Sequence, residues 1–201
     1  MNVLVLLSGG IDSSTLLWHL KAEGHQCQAL GIYYGQRHAR ELQAAAKIAD
    51  VAGVKYRSLT MFLNDYIKGH PLFSDVNPLP EGADQSATVI PGRNLFLLST
   101  GAIVASSLGL DALAIGCQAG DRETYADCRQ AFINRVWEAF DSGMPEHVGL
   151  WAPFVSWTKA QVVARARELG VPLQLTWSCY AGGVAPCGKC GACRAREDAG
   201  A

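Results

Sequence analysis

Charged residues are scarce in this 201-residue chain, at 17% of the sequence, and the formal net charge is only −1. Soluble domains typically carry about 25% charged residues. The lack of excess positive charge argues against a protein that binds duplex nucleic acid, so we expect no stable nucleic-acid complex. Hydrophobic residues make up 49% of the chain, which excludes a generally disordered protein.

The sequence also lacks a hydrophobic run of the length that a membrane crossing requires. The uncharged stretch 94–110, which we expect to be a buried helix, is short and carries polar side chains such as Ser99 and Thr100. The apolar start at 3–7 has no basic segment before it and leads directly into Ser8, unlike a secretory signal peptide. We therefore expect a cytoplasmic protein without a membrane partner, whose seven cysteines are reduced and serve as metal ligands or core residues.

Apolar runs and helical stretches alternate along the chain, and this alternation predicts an α/β fold: a parallel twisted sheet with helices on both faces. We predict strands at 3–7, 28–34, 55–59 and 112–116, and helices at 13–23, 40–51, 93–108, 129–142 and 159–169. The proline-rich segment 62–91 lacks periodicity, so we expect a long loop there. We expect an α/β domain over 1–176 and a small cysteine-rich region over 177–201 with few regular elements.

A glycine-rich turn follows the first predicted strand, with the sequence Ser-Gly-Gly-Ile-Asp-Ser-Ser from Ser8 to Ser14. Glycines let the backbone turn sharply toward an anion, and the start of a helix adds about half a positive charge. The turn therefore predicts a phosphate site, although it is not a Walker loop, because no Gly-Lys-Ser/Thr follows. Since Asp12 would repel a phosphate, we assign it to Mg²⁺ or to orienting the loop. The expected phosphate-binding residues are Ser8, Gly9, Gly10, Asp12, Ser13, Ser14 and Thr15.

Four cysteines near the C-terminus follow the spacing C-x7-C-x2-C-x2-C: Cys179, Cys187, Cys190 and Cys193. Four thiolates at about 2.3 Å form a closed tetrahedral Zn²⁺ site. A closed site leaves no position for a reactive water, so we expect one structural zinc per chain. A nucleic-acid zinc knuckle would need interleaved aromatic and basic residues, and only Trp177 and Tyr180 are near. The remaining cysteines, Cys27, Cys117 and Cys128, are expected to be core thiols.

The glycine loop, Ser-Gly-Gly-x-Asp-Ser, resembles the pyrophosphate-binding loop of the N-type ATP pyrophosphatases, which split ATP between its α and β phosphates. Four further motifs narrow the resemblance. They are Tyr34-Gly35-Gln36-Arg37-His38, Pro91-Gly92-Arg93-Asn94, the segment from Asp121 to Arg129, and Ser178-Cys179-Tyr180. In this order the motifs are similar to those of the 7-cyano-7-deazaguanine synthases, and the resemblance covers 3–196.

The resemblance implies an adenine-nucleotide alpha hydrolase-like fold and a two-stage ligation in queuosine biosynthesis that uses ATP with Mg²⁺. In that reaction 7-carboxy-7-deazaguanine is adenylated, ammonia displaces AMP to give the amide, and a second ATP drives elimination to the nitrile. A related ATP pyrophosphatase that stops at the amide, or one that adenylates another acceptor as a tRNA-modifying enzyme does, is the alternative. That alternative rests on residues 122–124 and Ala126, which depart from the family pattern around the tyrosine. A module that binds nucleotide without turnover is a further alternative, and a homodimer is one option for the assembly.

Charged and aromatic residues within these motifs complete the expected site. Arg93 and Lys159 are candidates to neutralise charge on the α-phosphate or the substrate carboxylate, with a solvated helix-end charge as the alternative for each. Asp121 and Asp127 would bind Mg²⁺ or accept hydrogen bonds from a guanine-like edge, unless Asp127 caps the following helix. Tyr125 would stack on the flat bicyclic substrate, and His38 would either touch a phosphate or lie on the surface. The expected catalytic residues are Asp12, Arg93, Asp121, Asp127 and Lys159, and the expected substrate-binding residues are Arg93, Asn94, Tyr125 and Asp127.

Overall fold

The computed structural model describes residues 1–36, 40–73, 85–181 and 183–201. Five strands form one sheet in the order β3-β2-β1-β4-β5, and all four neighbouring pairs are parallel. The strands are β1 (Asn2–Leu6), β2 (Gln26–Tyr33), β3 (Lys55–Thr60), β4 (Ala112–Ala114) and β5 (Gly149–Trp151). The predicted parallel α/β fold is confirmed, and β5 is an additional edge strand that the sequence pattern did not predict.

Seven helices connect or follow the strands within the described residues: α1 (Ile11–Ala22), α2 (Arg40–Ala52), α3 (Arg93–Ser107), α4 (Asp121–Thr124), α5 (Gln130–Gly143), α6 (Lys159–Glu168) and α7 (Gly191–Asp198). None of them combines the length and apolar character needed to cross a membrane. The described parts of the predicted 62–91 loop contain only two short 3-10 turns, Leu63–Asp65 and Gln85–Thr88.

Helix α7 corrects one expectation, because it places a regular element within the cysteine-rich region. Ala192 and Ala195 favour a helix there. The apolar repeat that usually reveals a helix is missing, since cysteine and charged residues occupy most of its other positions.

The sheet is covered on both faces, as the alternation of residues along β1 requires. Val3 and Val5 pack on one face together with residues of α1, α2 and α6. Leu4 packs on the other face together with residues of α3 and α5. All three side chains are fully buried, and each such burial stabilises the fold by about 1.5–3 kcal/mol.

The order of the strands determines where a ligand can bind. The chain runs outward from β1 through β2 to β3, and it then returns to β4 on the opposite side of β1. The loops that follow β1 and β4 therefore diverge, and ligands of open α/β sheets bind in such a crevice. Behind the crevice the two loops approach closely, because a Cβ on Gly116 would lie 3.0 Å from backbone atoms of Asp12 and Ser13.

Candidate active site

A cavity of about 240 Å³ opens at the carboxyl ends of β1 and β4. The residues that line it come from the segments around the ends of β1, β2 and β4, from α2 and α3 and from the C-terminal region, and they include several of the predicted site residues. Among them are Ser8, Gly10, Asp12, Ser13, Tyr34, Gln36, Glu41, Arg93, Asn94, Cys117, Asp121, Tyr125, Cys128 and Tyr180. The structure thus brings residues from both ends of the chain to one site.

The glycine loop is shaped by contact with α2. Gly9 has a left-handed backbone with φ of +84°, and a Cβ there would lie 2.3 Å from the carbonyl oxygen of Glu41. Only glycine combines that backbone with so close an approach. The first turn of α2 therefore packs directly on the loop and fixes its path.

The hydroxyl groups of the loop fall into two sets. The Ser13 hydroxyl accepts the Ser8 N–H at 3.2 Å, and the Ser8 hydroxyl accepts the Gly10 N–H at 3.2 Å. These three residues line the cavity. Ser14 and Thr15, in contrast, are fully buried and donate at 2.7 Å to carbonyl groups four residues earlier. The loop thus presents two hydroxyl groups and the first amides of α1 to a ligand.

Asp12 is paired with Lys159. The Lys159 ammonium donates to both carboxylate oxygens of Asp12, at 2.7 and 2.8 Å. A capping box formed by Thr158 and Gln161 fixes the start of α6, where Lys159 lies. The structure therefore joins two predicted catalytic residues, and Lys159 contacts the segment after the glycine loop through Asp12.

Asp121 lines the same cavity as Asp12. Burial, and after it the charge of Asp12, raise the pKa of Asp121, which lies at about 6. Hydrogen bonds from the Gln118 amide groups at 3.0 and 3.1 Å oppose that rise. Carboxylate oxygens are the ligands that Mg²⁺ prefers, so Asp12 and Asp121 could hold such a cation.

Arg93, the first residue of α3, gives the cavity a positively charged wall. Its guanidinium donates to the Tyr34 hydroxyl and lies 5.4 Å from the centre of the Tyr125 ring. Burial lowers the pKa of Arg93, but the phenol oxygens of Tyr34, Tyr180 and Tyr125 outweigh that effect and hold it above its ordinary value. The group keeps its charge, and its partners among the described residues are phenols, so it suits an anionic ligand.

Asp127 contacts the first turn of α3 from a distant part of the sequence. One of its carboxylate oxygens accepts the Asn94 N–H at 2.9 Å, and its backbone carbonyl accepts the Asn94 side-chain amide at 3.1 Å. The alternative that Asp127 caps the following helix is wrong, because Arg129 is the N-cap of α5 and no side chain caps it. Asp127 instead satisfies an amide in the first turn of α3, the turn that carries Arg93.

Several residues that line the cavity were not predicted as site residues, and one suggested contact lies outside the part of the chain that the structure describes. Tyr34 and Tyr180 line the cavity although the sequence assigned them no role beyond their motifs, and Glu41 lines it without any motif. Cys117 and Cys128 are buried, as expected of core thiols, but they also line the cavity, where the Asn94 amide contacts the Cys128 sulfur at 3.1 Å. His38, the suggested phosphate contact, lies outside the described residues.

The four C-terminal cysteines come together. Their sulfur atoms all lie within 4.8 Å of one another, so they could hold a metal ion. Backbone N–H groups point at the sulfurs, including those of Cys187 to Cys179 at 3.3 Å and of Cys190 to Cys187 at 3.4 Å. Burial raises the pKa of Cys187, but amide hydrogen bonds outweigh burial and lower it to about 6. Such bonds favour the thiolate, which is the form that binds a metal.

Comparison with solved structures supports the fold. The chain is similar to the U34-tRNA thiolase NcsA from Methanococcus maripaludis, solved with its [4Fe-4S] cluster, at a TM-score of 0.53 and 17% identity. That similarity covers 86% of this chain and 58% of the thiolase. At this identity the comparison shows a shared fold and nothing about the substrate.

Curated relatives are much more similar in sequence. The 7-cyano-7-deazaguanine synthase of Caldicellulosiruptor bescii is 38% identical over 99% of this chain and 92% of the relative. The synthase of Archaeoglobus fulgidus is 36% identical over 99% of this chain and 85% of the relative. These matches do not favour the alternatives of an amide-forming or tRNA-modifying enzyme. The family described as "Queuosine biosynthesis protein QueC" matches residues 2–200, and the chain belongs to that family of enzymes.

Proposed function

We propose that this chain converts 7-carboxy-7-deazaguanine and ammonia to 7-cyano-7-deazaguanine, with two molecules of ATP cleaved to AMP and pyrophosphate. Relatives that match almost the whole chain carry this activity in their names. One structural observation supports it most directly: the glycine loop and the Arg93 guanidinium line the same cavity. The transfer of AMP to a carboxylate needs a loop that binds the phosphates and a cationic group that stabilises the charge of the reacting anions.

The glycine loop would bind the leaving half of ATP. The first amides of α1 and the hydroxyl groups of Ser8 and Ser13 would donate to the β and γ phosphates, helped by the helix dipole. Asp12 and Asp121 would supply carboxylate oxygens to Mg²⁺, which neutralises phosphate charge when it is bound. Lys159 would hold Asp12 in the orientation that this task needs.

Arg93 would bind the reacting carboxylate or the α-phosphate. A carboxylate oxygen of the substrate attacks the α phosphorus, the bond to the bridging oxygen breaks, and pyrophosphate leaves. Both reactants are anions, so a fixed guanidinium lowers their mutual repulsion and stabilises the transition state. Asp127 and Asn94 would fix the helix turn from which Arg93 extends.

The aromatic residues would hold the flat bicyclic ring. Tyr125 is buried, and its hydroxyl lies 2.5 Å from the Thr88 hydroxyl, which fixes the plane of the ring. A fixed ring can stack on the deazaguanine and place its carboxylate beside Arg93. Catalysis here would thus depend on positioning rather than on a covalent enzyme intermediate.

The later steps follow from the same arrangement. Ammonia attacks the acyl carbon of the adenylate, AMP leaves, and a proton is lost to give the amide. The amide oxygen then attacks the α phosphorus of a second ATP, and pyrophosphate leaves with loss of a proton. Loss of the remaining N–H proton and cleavage of the C–O bond release the second AMP and form the nitrile.

We propose zinc as the ion of the cysteine cluster. A tetrahedral ion with bonds of about 2.3 Å requires sulfurs about 3.8 Å apart. The Cys187 and Cys193 sulfurs are 4.0 Å apart, and all four lie within 4.8 Å, which suits one shared ion. In an iron–sulfur cubane each cysteine binds a different iron, so its sulfurs must stand farther apart. With four protein ligands, zinc would stabilise the segment and take no part in the reaction.

A turnover assay tests the proposed function. The protein is incubated with ATP, Mg²⁺, ammonium and 7-carboxy-7-deazaguanine, and the products are separated and identified by mass spectrometry. We expect the nitrile, with AMP and pyrophosphate formed only when the acid is present. Release of ADP and phosphate would contradict the role of the glycine loop, and the amide as sole product would show that the reaction stops early.

A further inference from the structure

The segment before the cysteine cluster is attached to the glycine loop. Trp177 donates its backbone N–H to the Gly9 carbonyl at 2.9 Å. The Trp177 carbonyl lies beside Gly10, 3.7 Å from where a Cβ of that glycine would be. The guanidinium of Arg40, in the first turn of α2, covers the Trp177 ring at 5.5 Å from its centre. The cysteine region therefore packs against the back of the loop that faces the cavity.

The same segment carries Tyr180 into the cavity. Tyr180 follows Cys179 directly, and it packs against the cluster formed by Cys179, Cys190 and Cys193. It also packs against the apolar group around Tyr34 at the cavity wall. Among the described residues, Tyr180 is the one hydrophobic side chain that belongs to both groups, so it links the cysteine cluster to the cavity.

Within the cavity Tyr180 is a neighbour of Arg93. Both side chains line that cavity, and Tyr180 packs against the apolar group around Tyr34, whose hydroxyl accepts a hydrogen bond from Arg93. A phenol is protonated at neutral pH, so Tyr180 can offer its hydroxyl group to the guanidinium. With Tyr34 and Tyr125 it completes a set of three phenols around Arg93. An arginine side chain has many rotamers, and such a set restricts them.

We propose that Tyr180 is a positioning residue for Arg93, so that the segment that carries the cysteine cluster contributes one residue to the wall of the reactive cavity. This inference rests on the proposed function, in which Arg93 stabilises the charge that develops during adenylation. Cys179 anchors the backbone next to Tyr180, because its sulfur accepts the N–H groups of Ala181 and Cys187 at 3.4 and 3.3 Å. The metal-binding segment thus acts on the reaction through the residue that it places, while its ion stays outside the chemistry.

The test begins with Tyr180→Phe, which removes the hydroxyl and keeps the ring that packs against the cysteines. We expect kcat for adenylation to fall about tenfold, with KM for ATP changed by less than about twofold, since the glycine loop still holds the triphosphate. Metal content and Tm should match those of the wild-type protein. Tyr66→Phe is the control, because Tyr66 is 86% exposed and should behave as wild type.

A double-mutant cycle separates positioning from a general structural effect. If Tyr180 acts through Arg93, Tyr180→Phe should have little further effect on kcat in an Arg93→Lys background, because lysine cannot use the same phenol contacts. Equal losses of kcat in both backgrounds, or a wild-type kcat for the single variant, would overturn the inference. A fall in metal content or Tm that accounts for the lost activity would also overturn it.

The same assay distinguishes this inference from the proposed function. Adenylation is followed as exchange of labelled pyrophosphate into ATP in the presence of 7-carboxy-7-deazaguanine. Failure of the wild-type protein to show acid-dependent exchange would remove the proposed function and this inference with it. Wild-type exchange together with unchanged kcat in Tyr180→Phe would leave the function in place and reject the role of Tyr180 alone.

Discussion

The Lys159 ammonium donates hydrogen bonds to both carboxylate oxygens of Asp12, although the two residues lie 147 positions apart in the sequence. Asp12 stands in the first turn of α1 and lines the cavity, and Lys159 begins α6. The pair therefore connects the last helix of the α/β unit to the glycine loop. The positive charge of Lys159 also lowers the pKa of Asp121.

Replacing Lys159 by methionine should impair the reaction more than the fold. The two side chains are 24% and 21% exposed, so the loss in free energy of unfolding should be about 1 kcal/mol or less. Pyrophosphate exchange should fall about 100-fold, since Asp12 loses its orientation. Lys47→Met on the exposed side of α2 is the control. Wild-type exchange in Lys159→Met would contradict the assigned role.

The raised pKa of Asp121 makes the stability of the protein depend on pH. Its folded pKa of about 6 lies above the ordinary value of 3.8, so ionisation costs folding free energy. That cost is absent below about pH 4, grows between about pH 4 and pH 6, and stays constant above that range. Asp121→Asn should therefore be more stable relative to wild type at pH 8 than at pH 4.5, by about 2 kcal/mol.

Urea unfolding of Asp121→Asn and of the wild type at pH 4.5 and pH 8 gives the difference in free energy of unfolding at each pH. The change in that difference between the two pH values tests the prediction. Asp50→Asn, at an exposed position of α2, is the control and should show no such change. An effect of Asp121→Asn that is equal at both pH values would show that its carboxyl is not held above its ordinary pKa.

Two glycines with left-handed backbones offer a matched test of the glycine loop. Gly9→Ala would bring a Cβ to 2.3 Å from the Glu41 carbonyl, whereas nothing lies within 4 Å of a Cβ at Gly53. Gly53→Ala should cost about 1 kcal/mol, from backbone strain alone. Gly9→Ala should cost several times more and should abolish ATP binding, because α2 must move away from the loop. Thermal unfolding and calorimetric titration with ATP check both, and equal costs would show that α2 does not constrain the loop.

The cysteine cluster predicts a further result. Cys190→Ser should remove the bound zinc, which elemental analysis should find at one ion per chain in the wild type, and should make the segment after 177 sensitive to protease. Cys27→Ser, outside the cluster, is the control and should keep the metal. A fully active wild-type preparation without metal would contradict a structural role for zinc.

Local patterns were enough to predict most of the fold. The continuous apolar run of β1, the glycine turn after it and the amphipathic helices α2 and α5 all carry short-range signals. The three-residue strand β5 carries too few residues for such a signal, and its pairing with β4 depends on the finished sheet. Spacing alone was likewise sufficient to bring the four cysteines together as a candidate metal site.

Contacts between distant segments could not be predicted in the same way. The bond from Trp177 to Gly9 and the placement of Tyr180 beside Arg93 arise only when the C-terminal segment folds back on the loop. For the same reason, Asp127 binds an amide at the start of α3 instead of capping α5, the helix that follows it in the sequence. No periodic sequence pattern around Tyr180 predicts that its side chain lines this cavity.

The transfer of AMP to the substrate carboxylate is tested most directly with ¹⁸O. The acid is prepared with both carboxylate oxygens labelled and is converted completely, and the AMP is analysed by mass spectrometry. Because each activation breaks a C–O bond after the substrate oxygen has bonded to phosphorus, every AMP should carry one ¹⁸O and the pyrophosphate none. Unlabelled AMP, or label in the pyrophosphate or in inorganic phosphate, would contradict the account.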